Sequence, residues 1–348
     1  MSERDEHYIK MACQEAVKAQ GQTSPNPAVG AVLVCDDEVI STGYHVKAGT
    51  PHAERVAIAR AEEAGFTQWE ESTIYVTLEP CSTHGRTGAC SDAIVRQGIG
   101  RVVYGSVDPN PAHVGRADAV LSAAGIEVKS GVMREVCDHI IRGFAKAQVE
   151  GLPWVMIKTA MSLDGKITRP EGEGQWLTSA ASRHVVHQQR AEADAIITGG
   201  NTVRRDNPRL DVRLEGRSPS LRQPLRVIFT RDRTQLPSES HLLQDSSTLI
   251  YETRTTDALR EALGDLVTSH GVQTVFVEAG GGLLGVFSDA GLIDEVICYY
   301  APMINGGTNV AIGGEGVWNL ADALKLRDCQ FQQIGNDVMM RGVVQKGA

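Results

Sequence analysis

Strand-like apolar runs alternate with stretches of helical periodicity along this chain, and that alternation constrains the fold more than any other feature. In the first half, apolar runs at 29–34, 73–78 and 101–106 are separated by helix-like stretches at 52–64 and 91–97. Strands and helices that alternate at this spacing are typical of a largely parallel or mixed sheet covered by helices. The sequence therefore predicts an α/β fold.

A second series of the same kind occupies the rest of the chain, with strand-like runs at 225–230 and 274–278. Between the two series lies the polar, glycine-containing stretch 142–152, where we place the domain boundary. A chain of 348 residues is also longer than a usual single domain. We expect one domain over residues 1–146 and a second over residues 147–348.

The overall composition argues against several classes of protein. The chain carries 43 acidic and 34 basic residues, so it has no general attraction for nucleic acid. No apolar run approaches the roughly 18 residues of a membrane span, and the charged N-terminus lacks the apolar segment of a secretion signal. The seven cysteines are scattered, which favours reduced thiols or metal ligands over disulfides. We therefore expect a cytoplasmic protein that binds neither nucleic acid nor membranes.

Two cysteines lie in the segment TLEPCSTHGRTGAC, where eight residues separate Cys81 from Cys90. Taken as a pair, they could form a disulfide, be unrelated thiols or bind a metal. His52 completes a set of one imidazole and two thiolates, which suits a catalytic zinc ion that keeps one position open for water. Glu54 adds a carboxylate that is not a ligand and can carry protons.

Zinc deaminases share the pattern H-x-E followed by P-C-x-x-C, in which the glutamate is the general acid and base. This chain has the same residues in the same order, with a longer gap between the cysteines. A closed structural zinc site, with His84 as the fourth ligand, is the alternative. We expect one catalytic Zn²⁺ per chain.

Longer segments resemble one known family. The segments SPNPAVGAV, GYHVKAGTPHAE, YVTLEPCSTHGRTGAC and DPNP are similar to the deaminase half of the bifunctional riboflavin-biosynthesis deaminase/reductases. The segments KTAMSLDGKI, QWLTS, TGGNTVRRDNPRLDVR, VEAGGGLLG and YYAP resemble the reductase half. The resemblance implies an N-terminal cytidine-deaminase-like three-layer α/β/α domain, followed by a dihydrofolate-reductase-like α/β domain.

The resemblance also implies two consecutive reactions on a small phosphoribosyl pyrimidine. The first is the zinc-dependent hydrolytic deamination of 2,5-diamino-6-(5-phosphoribosylamino)pyrimidin-4(3H)-one. The second is the reduction of 5-amino-6-(5-phosphoribosylamino)uracil to its ribityl form, with NADPH as the hydride donor. Strands and apolar surface in the second half favour a homo-oligomer, which we expect to be a dimer.

The family's functional positions map onto particular residues of this sequence. In the first half, the resemblance makes His52, Cys81 and Cys90 the zinc ligands, Glu54 the proton carrier and Asn26 a contact to the substrate ring. The expected NADPH contacts are Ala160, Trp176, Thr202, Asp206, Gly280, Gly281, Gly282, Leu283, Leu284, Gly285 and Val286. The expected contacts to the second substrate are Gly174, Arg190, Leu210, Arg213 and Glu278, and Lys158 is a further candidate for the reductase site.

Elementary chemistry is compatible with two of these assignments. A Gly-Gly-Gly run between a strand and a helix lets backbone N–H groups approach a phosphate, although the run alone is more typical of a tight turn. Arg190 and Arg213 can bind a substrate phosphate through paired, charge-assisted hydrogen bonds. Without the resemblance, both would be interpreted as exposed arginines.

The sequence departs from the family pattern at several positions. Gly174 stands where the family commonly has serine, and Thr230-Arg231 stands where it commonly has Asp-Ser. Arg231 could contact the 2′-phosphate of NADPH or face solvent. The expected Gly-x-Gly after DPNP reads Gly-Arg-Ala at 115–117, and the roles of His84 and Arg86, between the two cysteines, stay open.

Two other functions fit parts of the sequence. A deaminase of a nucleic-acid base would share the zinc pattern, but the net charge of −9 and the second α/β half argue against it. A regulatory or binding protein with degenerate sites is the other alternative. The intact set of zinc ligands and glutamate argues against that alternative for the first half.

Overall fold

The computed structural model describes residues 3–82, 88–110, 113–167, 176–216, 218, 221–253 and 255–345. Three residues singled out above, His84, Arg86 and Gly174, lie outside the described residues. The chain divides into two compact units, Met1–Gly151 and Leu152–Ala348. The domain limits drawn from the sequence, 1–146 and 147–348, stay a prediction. Among the described helices, none is long and apolar enough to cross a membrane.

Within its described residues, the first unit contains one mixed sheet of five strands. The strands are β1 (Gly30–Cys35), β2 (Glu38–Tyr44), β3 (Thr73–Leu78), β4 (Arg101–Ser106) and β5 (Glu127–Lys129). The helices are α1 (Glu3–Val17), α2 (Ala53–Glu63), α3 (Cys90–Gln97), α4 (Arg116–Ala123), α5 (Arg134–Ile140) and α6 (Arg142–Glu150). The spatial order is β2-β1-β3-β4-β5. Strand β1 runs antiparallel to β2 and β3, whereas β3, β4 and β5 are parallel.

Helices cover both faces of this sheet. On one face, Leu33 of β1 belongs to the same core as Ile94 of α3. On the other face, Val32 of β1 and Tyr75 of β3 pack with Ile9 of α1. Because successive side chains of a strand point to opposite faces, every residue of β1 and β3 is buried. The three-layer α/β/α arrangement predicted for the first half is confirmed.

The stretch 142–152, where the sequence places the domain boundary, is helical over most of its length. Helix α6 spans Arg142–Glu150 and ends at Gly151, which has a left-handed conformation with φ of 68°. Its buried residues are Gly143 and Lys146. Lysine is read as a polar residue in a sequence pattern, but its aliphatic stem can be buried. The buried face of this helix is therefore not visible as an apolar stripe in the sequence.

Within its described residues, the second unit is built on an eight-stranded sheet. The strands are β6 (Trp154–Ser162), β7 (Ala195–Gly199), β8 (Leu225–Thr230), β9 (Leu249–Glu252), β10 (Thr274–Glu278), β11 (Glu295–Ala301), β12 (Leu326–Ile334) and β13 (Asp337–Val344). The helices are α7 (Ala180–Glu192), α8 (Gly200–Asp206), α9 (Thr256–His270) and α10 (Gly281–Asp289). The spatial order is β12-β13-β11-β6-β10-β7-β8-β9.

The strands from β11 to β9 in that order are parallel to their neighbours, and β13 and β12 are antiparallel at one edge. Helix α10 contributes Phe287 to the core on one face, and α7 contributes Val186 to the core on the other. Helix α8 follows β7 directly and α10 follows the neighbouring strand β10. The N-termini of both helices therefore lie at the carboxyl edge of the parallel sheet, where ligands of such sheets commonly bind.

A buried carboxylate joins α1 to the sheet of the first unit. Asp5 accepts hydrogen bonds from Arg101 Nη1 at 2.9 Å, from Lys129 Nζ at 2.6 Å and from the hydroxyl of Tyr75 at 3.1 Å. Burial alone would raise the pKa of Asp5, but the bonds from Arg101 and Lys129 hold that pKa well below its usual range. The ionised carboxylate therefore stabilises the fold at neutral pH.

Replacing Asp5 should destabilise the first unit. We expect Asp5→Asn to lower the free energy of unfolding by about 3 kcal/mol, because two cations and a buried hydroxyl lose their partner. The difference from wild type should shrink as the pH falls below about 4, where Asp5 also becomes protonated in the unfolded chain. Calorimetry of the intact chain across pH measures both effects.

Asp36→Asn in the β1–β2 turn is the matched control, because Asp36 is exposed and its positive φ of 48° suits asparagine. An Asp5→Asn variant as stable as Asp36→Asn at pH 7 would contradict the role of this carboxylate.

Candidate active sites

Close packing between α2 and β2 places the first candidate site. Gly43 of β2 approaches the helix so closely that a Cβ atom there would be 2.4 Å from the carbonyl oxygen of Ala53. His52 is the N-cap residue of α2, with extended backbone, and Glu54 lies in the first turn. The missing side chain at Gly43 thus allows the start of α2, with both functional residues, to lie against the sheet.

Two cysteine sulphurs face the imidazole of His52. Cys81 follows the end of β3, and Cys90 is the first residue of α3. The Nδ1 atom of His52 is 3.5 Å from Cys81 Sγ and 3.3 Å from Cys90 Sγ. Both cysteines are free thiols, so the disulfide alternative is excluded in this structure.

These three residues fit a tetrahedral zinc ion. Zinc bonds are about 2.3 Å long to sulphur and about 2.0 Å long to nitrogen. In a tetrahedral site, a nitrogen and a sulphur bound to the same ion therefore lie roughly 3.5 Å apart. The observed separations from His52 Nδ1 agree with this value, and the three donor atoms lie within 4.8 Å of one another. Among the described residues, no other histidine, cysteine or acidic side chain joins this group. A tetrahedral zinc ion bound by these three side chains would therefore have one coordination position left for another ligand.

The two thiols have opposite pKa shifts. Hydrogen bonds from Cys90 and His52 together lower the pKa of Cys81 to about 4, against the opposing effect of burial. The pKa of Cys90 is raised because its thiol donates to the Cys81 thiolate and because it is buried. A cation that binds both sulphurs must displace this remaining proton, so metal affinity should fall as the pH falls.

Glu54 is buried beside the metal ligands. Its relative exposure is 3%, and burial raises the pKa of its carboxyl group, with a further contribution from Cys81. A carboxyl group with a raised pKa can exchange a proton near neutral pH. Glu54 can therefore serve the proton transfers of a reaction at this site.

A buried histidine that the sequence reasoning missed orients Asn26. His45 Nδ1 is 3.1 Å from the carbonyl oxygen of Pro51, and its Nε2 is 3.0 Å from Asn26 Nδ2. Burial lowers the pKa of His45, which favours a neutral ring that donates to Pro51 and accepts from Asn26. The amide nitrogen of Asn26 is thereby engaged, and its oxygen remains as an acceptor. The motif GYHVKAG offered a signal, since a histidine follows directly after a strand.

Glu79, two residues before Cys81, holds the neighbouring loop. Its carboxylate accepts from the backbone N–H groups of Asp108 and Gly115 at 3.1 Å and of Ala117 at 3.2 Å. This carboxylate thus fixes the loop that follows β4 next to the end of β3. Glu79 was also missed, because a buried Glu before Pro-Cys gives no sign of its partners in the sequence.

The second candidate site contains a largely buried cluster of charges at the carboxyl end of β10. Arg190 Nε donates to Glu278 Oε1 at 2.5 Å and Arg190 Nη2 donates to Oε2 at 3.1 Å, while Lys158 Nζ lies 3.6 Å from Oε2. Burial opposes the charge on Glu278, but Arg190 and Lys158 lower its pKa to about 2. Burial lowers the pKa of Lys158. These three predicted residues do come together.

The run of three glycines forms the start of a helix. Gly280 is the N-cap residue of α10, and Gly281 and Gly282 lie in its first turn. A Cβ atom at Gly281 would be 2.2 Å from the carbonyl oxygen of Val310, whereas a Cβ at Gly280 or Gly282 would meet no atom within 4 Å. Gly281 therefore allows close packing of the chain, and Gly280 and Gly282 leave the helix N-terminus accessible to an anion.

Three other predicted cofactor residues lie near the same edge, and two further ones are placed differently. Ala160 is close to the carboxyl end of β6, Thr202 is in the first turn of α8 and Arg231 follows β8. Asp206 is the last residue of α8. Trp176 is 59% exposed and lies under the guanidinium of Arg183, so it is not a core residue.

The predicted substrate residues Leu210 and Arg213 lie in the segment after α8. Leu210 is buried and has a positive φ of 50°. Arg213 is half exposed, and its Nη1 forms an ion pair with Asp211 at 2.9 Å. Arg190, in contrast, is largely buried, and its Nη1 also donates to the carbonyl oxygen of Asp211 at 3.0 Å. Arg213 therefore has more donor capacity left for a phosphate than Arg190.

Comparison with known protein families covers both units. Residues 2–106 match the cytidine and deoxycytidylate deaminase zinc-binding region, and residues 153–340 match the RibD C-terminal domain. Riboflavin biosynthesis protein RibD of Bacillus amyloliquefaciens is 35% identical, over 99% of this chain and 97% of the relative. The protein of the same name from Escherichia coli is 36% identical, over 97% of this chain and 98% of its own length.

Solved structures give the same result. RibD of Acinetobacter baumannii superimposes with a TM-score of 0.88 at 33% identity, over 99% of both chains. A diaminohydroxyphosphoribosylaminopyrimidine deaminase/5-amino-6-(5-phosphoribosylamino)uracil reductase from Thermotoga maritima has a TM-score of 0.84 at 30% identity, over 98% of this chain and 99% of that one. The fold class predicted from the sequence is thereby confirmed.

Removal of a thiol ligand should abolish tight zinc binding. We expect the purified wild-type chain to contain about one zinc per chain and Cys90→Ser to retain well under half of that, because a serine hydroxyl is a poor zinc ligand. Elemental analysis after dialysis against a weak chelator measures the zinc content. Cys329→Ser, at an exposed cysteine of β12, is the control and should keep its zinc. Equal zinc contents in Cys90→Ser and Cys329→Ser would contradict the ligand assignment.

Proposed function

This chain belongs to the RibD family of bifunctional riboflavin-biosynthesis deaminase/reductases, and from that membership we propose the residues that carry each reaction. The first unit deaminates 2,5-diamino-6-(5-phosphoribosylamino)pyrimidin-4(3H)-one. The second reduces the resulting 5-amino-6-(5-phosphoribosylamino)uracil to its ribityl form with NADPH. The observation that carries the deaminase assignment is the position of His52 Nδ1 within 3.5 Å of both cysteine sulphurs, beside the buried Glu54.

In the deaminase centre, His52, Cys81 and Cys90 would hold the zinc ion, which when bound supplies a water of lowered pKa. Glu54 accepts a proton from the attacking water and delivers it toward the leaving amino group, which departs as ammonia. Asn26 orients the pyrimidine ring through its amide oxygen, since its amide nitrogen is 3.0 Å from His45 Nε2. Separate residues thus bind the metal and move the proton.

In the reductase centre, NADPH when bound supplies the hydride. The N–H groups at Gly280 and Gly282 bind a cofactor phosphate at the start of α10, and Arg231 is a candidate for the 2′-phosphate. Addition of a hydride to the sugar carbon requires one proton for balance. Lys158 carries a proton 3.6 Å from Glu278, and burial lowers its pKa, so it is the group best suited to donate that proton.

We assign the substrate phosphate to Arg213 in preference to Arg190. All three guanidinium nitrogens of Arg190 already donate hydrogen bonds. Nε and Nη2 donate to the carboxylate of Glu278, and Nη1 donates to the carbonyl oxygen of Asp211. The Arg190 guanidinium instead orients Glu278, which would contact the ribosyl group. Arg213 is half exposed and can exchange Asp211 for a phosphate.

We further propose that the protein is a cytoplasmic homodimer. All seven cysteines are free, as is usual in a reducing compartment. Strand β12 forms one edge of the large sheet, and nearly all of its residues are exposed, with Phe331 at 72%. Trp318 is 98% exposed on the same unit. Exposed edge strands and apolar side chains favour association with a second copy of the chain.

Substitution of Glu54 should separate metal binding from deamination. We expect Glu54→Gln to keep its zinc and to lose at least about 100-fold in the rate of ammonia release, because it removes the proton carrier and no ligand. Reduction of the uracil substrate by the same preparation is the internal control and should be unchanged. Retention of more than a few per cent of the deaminase activity would contradict the role of Glu54.

Two arginines should affect different ligands of the reductase. We expect Arg213→Ala to raise the KM for the phosphorylated uracil about tenfold or more and to leave the KM for NADPH nearly unchanged. Arg231→Ala should raise the KM for NADPH and leave the KM for the phosphorylated uracil nearly unchanged. Steady-state kinetics with each ligand varied in turn measures both constants, and Arg260→Ala on α9 is the control for loss of a surface charge. Equal effects of Arg213→Ala on both constants would contradict the phosphate assignment.

A further inference from the structure

The guanidinium of Arg55 lies beside the deaminase centre without being part of the ligand set. Arg55 follows Glu54 in the first turn of α2. Its Nη2 donates to the carbonyl oxygen of Ala89 at 3.1 Å, and the guanidinium packs on Gly88, where a Cβ atom would be 3.1 Å from Nη2. Arg55 thus connects the segment that carries His52 to the segment that carries Cys90.

The peptide group between Ala89 and Cys90 is hydrogen-bonded at both ends. Its carbonyl oxygen accepts from Arg55, and its N–H, that of Cys90, donates to the Sγ of Cys81 at 3.3 Å. A cation on the carbonyl side polarises the peptide and makes its N–H a stronger donor. Arg55 therefore acts on both sulphur ligands: it fixes the backbone at Cys90 and strengthens the hydrogen bond to Cys81.

The Arg55 side chain is partly buried, and not all of its N–H donors have a hydrogen-bond partner among the described residues. The Nε atom of Arg55 is buried and has no hydrogen-bond partner among the described residues. Leaving such a donor unsatisfied is unfavourable for stability. The guanidinium is held beside the candidate ligands by its bond to Ala89, which joins the segments that carry His52 and Cys90.

We propose that Arg55 is a positioning residue of the zinc centre, which retains the ion by holding the Ala89–Cys90 peptide in place. The inference rests on the proposed function of His52, Cys81 and Cys90 as the zinc ligands. Partners outside the ligand set typically change metal affinity by about 10–100-fold. Arg55 should act in this range, and its effect should be visible without any substrate.

The test is the rate of zinc release from the purified full-length chain to an excess of a chromogenic chelator. We expect Arg55→Met, which keeps the length of the side chain but donates no hydrogen bond, to release zinc about tenfold faster than wild type. Arg55→Lys, which keeps the charge and a single donor, should recover part of the loss. In the Co²⁺-substituted protein, the thiolate-to-metal absorption band should shift in Arg55→Met, because the hydrogen bond to Cys81 is weakened.

Arg60→Met is the matched control, because Arg60 lies on the same helix and its Nη1 donates to the carbonyl oxygen of Thr42 at 2.8 Å. It should release zinc within about twofold of wild type. If Arg55→Met does not fold, Arg55→Gln, whose amide is too short for Ala89, replaces it with the same expectation. Release within twofold of wild type together with an unchanged Co²⁺ spectrum would overturn the proposal. Absence of zinc from the wild-type chain would instead refute the ligand assignment itself.

Discussion

The deaminase centre depends on the close approach of α2 to β2 at Gly43. This contact fixes the start of α2, where His52 and Glu54 are separated by one residue. The end of β3 and the start of α3 bring Cys81 and Cys90 to the same imidazole. The ligands come from three different segments, so any shift of helix against sheet would change the distance between nitrogen and sulphur on which a tetrahedral ion depends.

In the second unit, the proposed sites for two phosphorylated ligands, NADPH and the uracil substrate, lie at one edge of a sheet. Its parallel strands end where α8 and α10 begin, and glycines at the start of α10 allow both tight packing and access for an anion. Glu278 stays ionised in a largely buried position because Arg190 and Lys158 neutralise it. Its hydrogen bonds to Arg190 fix the carboxylate, and fixed groups of this kind can orient a hydride donor and its acceptor.

Much of the fold and the metal centre could be predicted from the sequence. The bounds of β3 and β10 agree with the predicted runs at 73–78 and 274–278, because buried strands are short, apolar and clearly bounded. Helix α8 was not predicted, since its seven residues begin with glycine and carry no apolar stripe. Strand β12 was missed because its exposed residues follow no alternation.

Within the sites, the grouping of His52, Cys81 and Cys90 was predictable because zinc chemistry needs specific residue types in a recognisable order. The contacts of His45, Glu79 and Arg55 were not, because each includes a group of another segment: the amide of Asn26, the N–H of Asp108 and the carbonyl of Ala89. Helix α6 within 142–152 was not predicted for a related reason, since the sequence does not show that Lys146 is buried.

The central claim is that the chain contains two separable reaction centres, one dependent on zinc and one on NADPH. The most direct test follows ammonia release and NADPH oxidation by one purified preparation, before and after removal of zinc with a chelator. Zinc removal should abolish ammonia release from the diaminopyrimidine nucleotide and leave NADPH oxidation with the uracil nucleotide intact, and added zinc should restore the first activity. Ammonia release that persists without zinc, or a parallel loss of both activities, would contradict the presence of two separable centres.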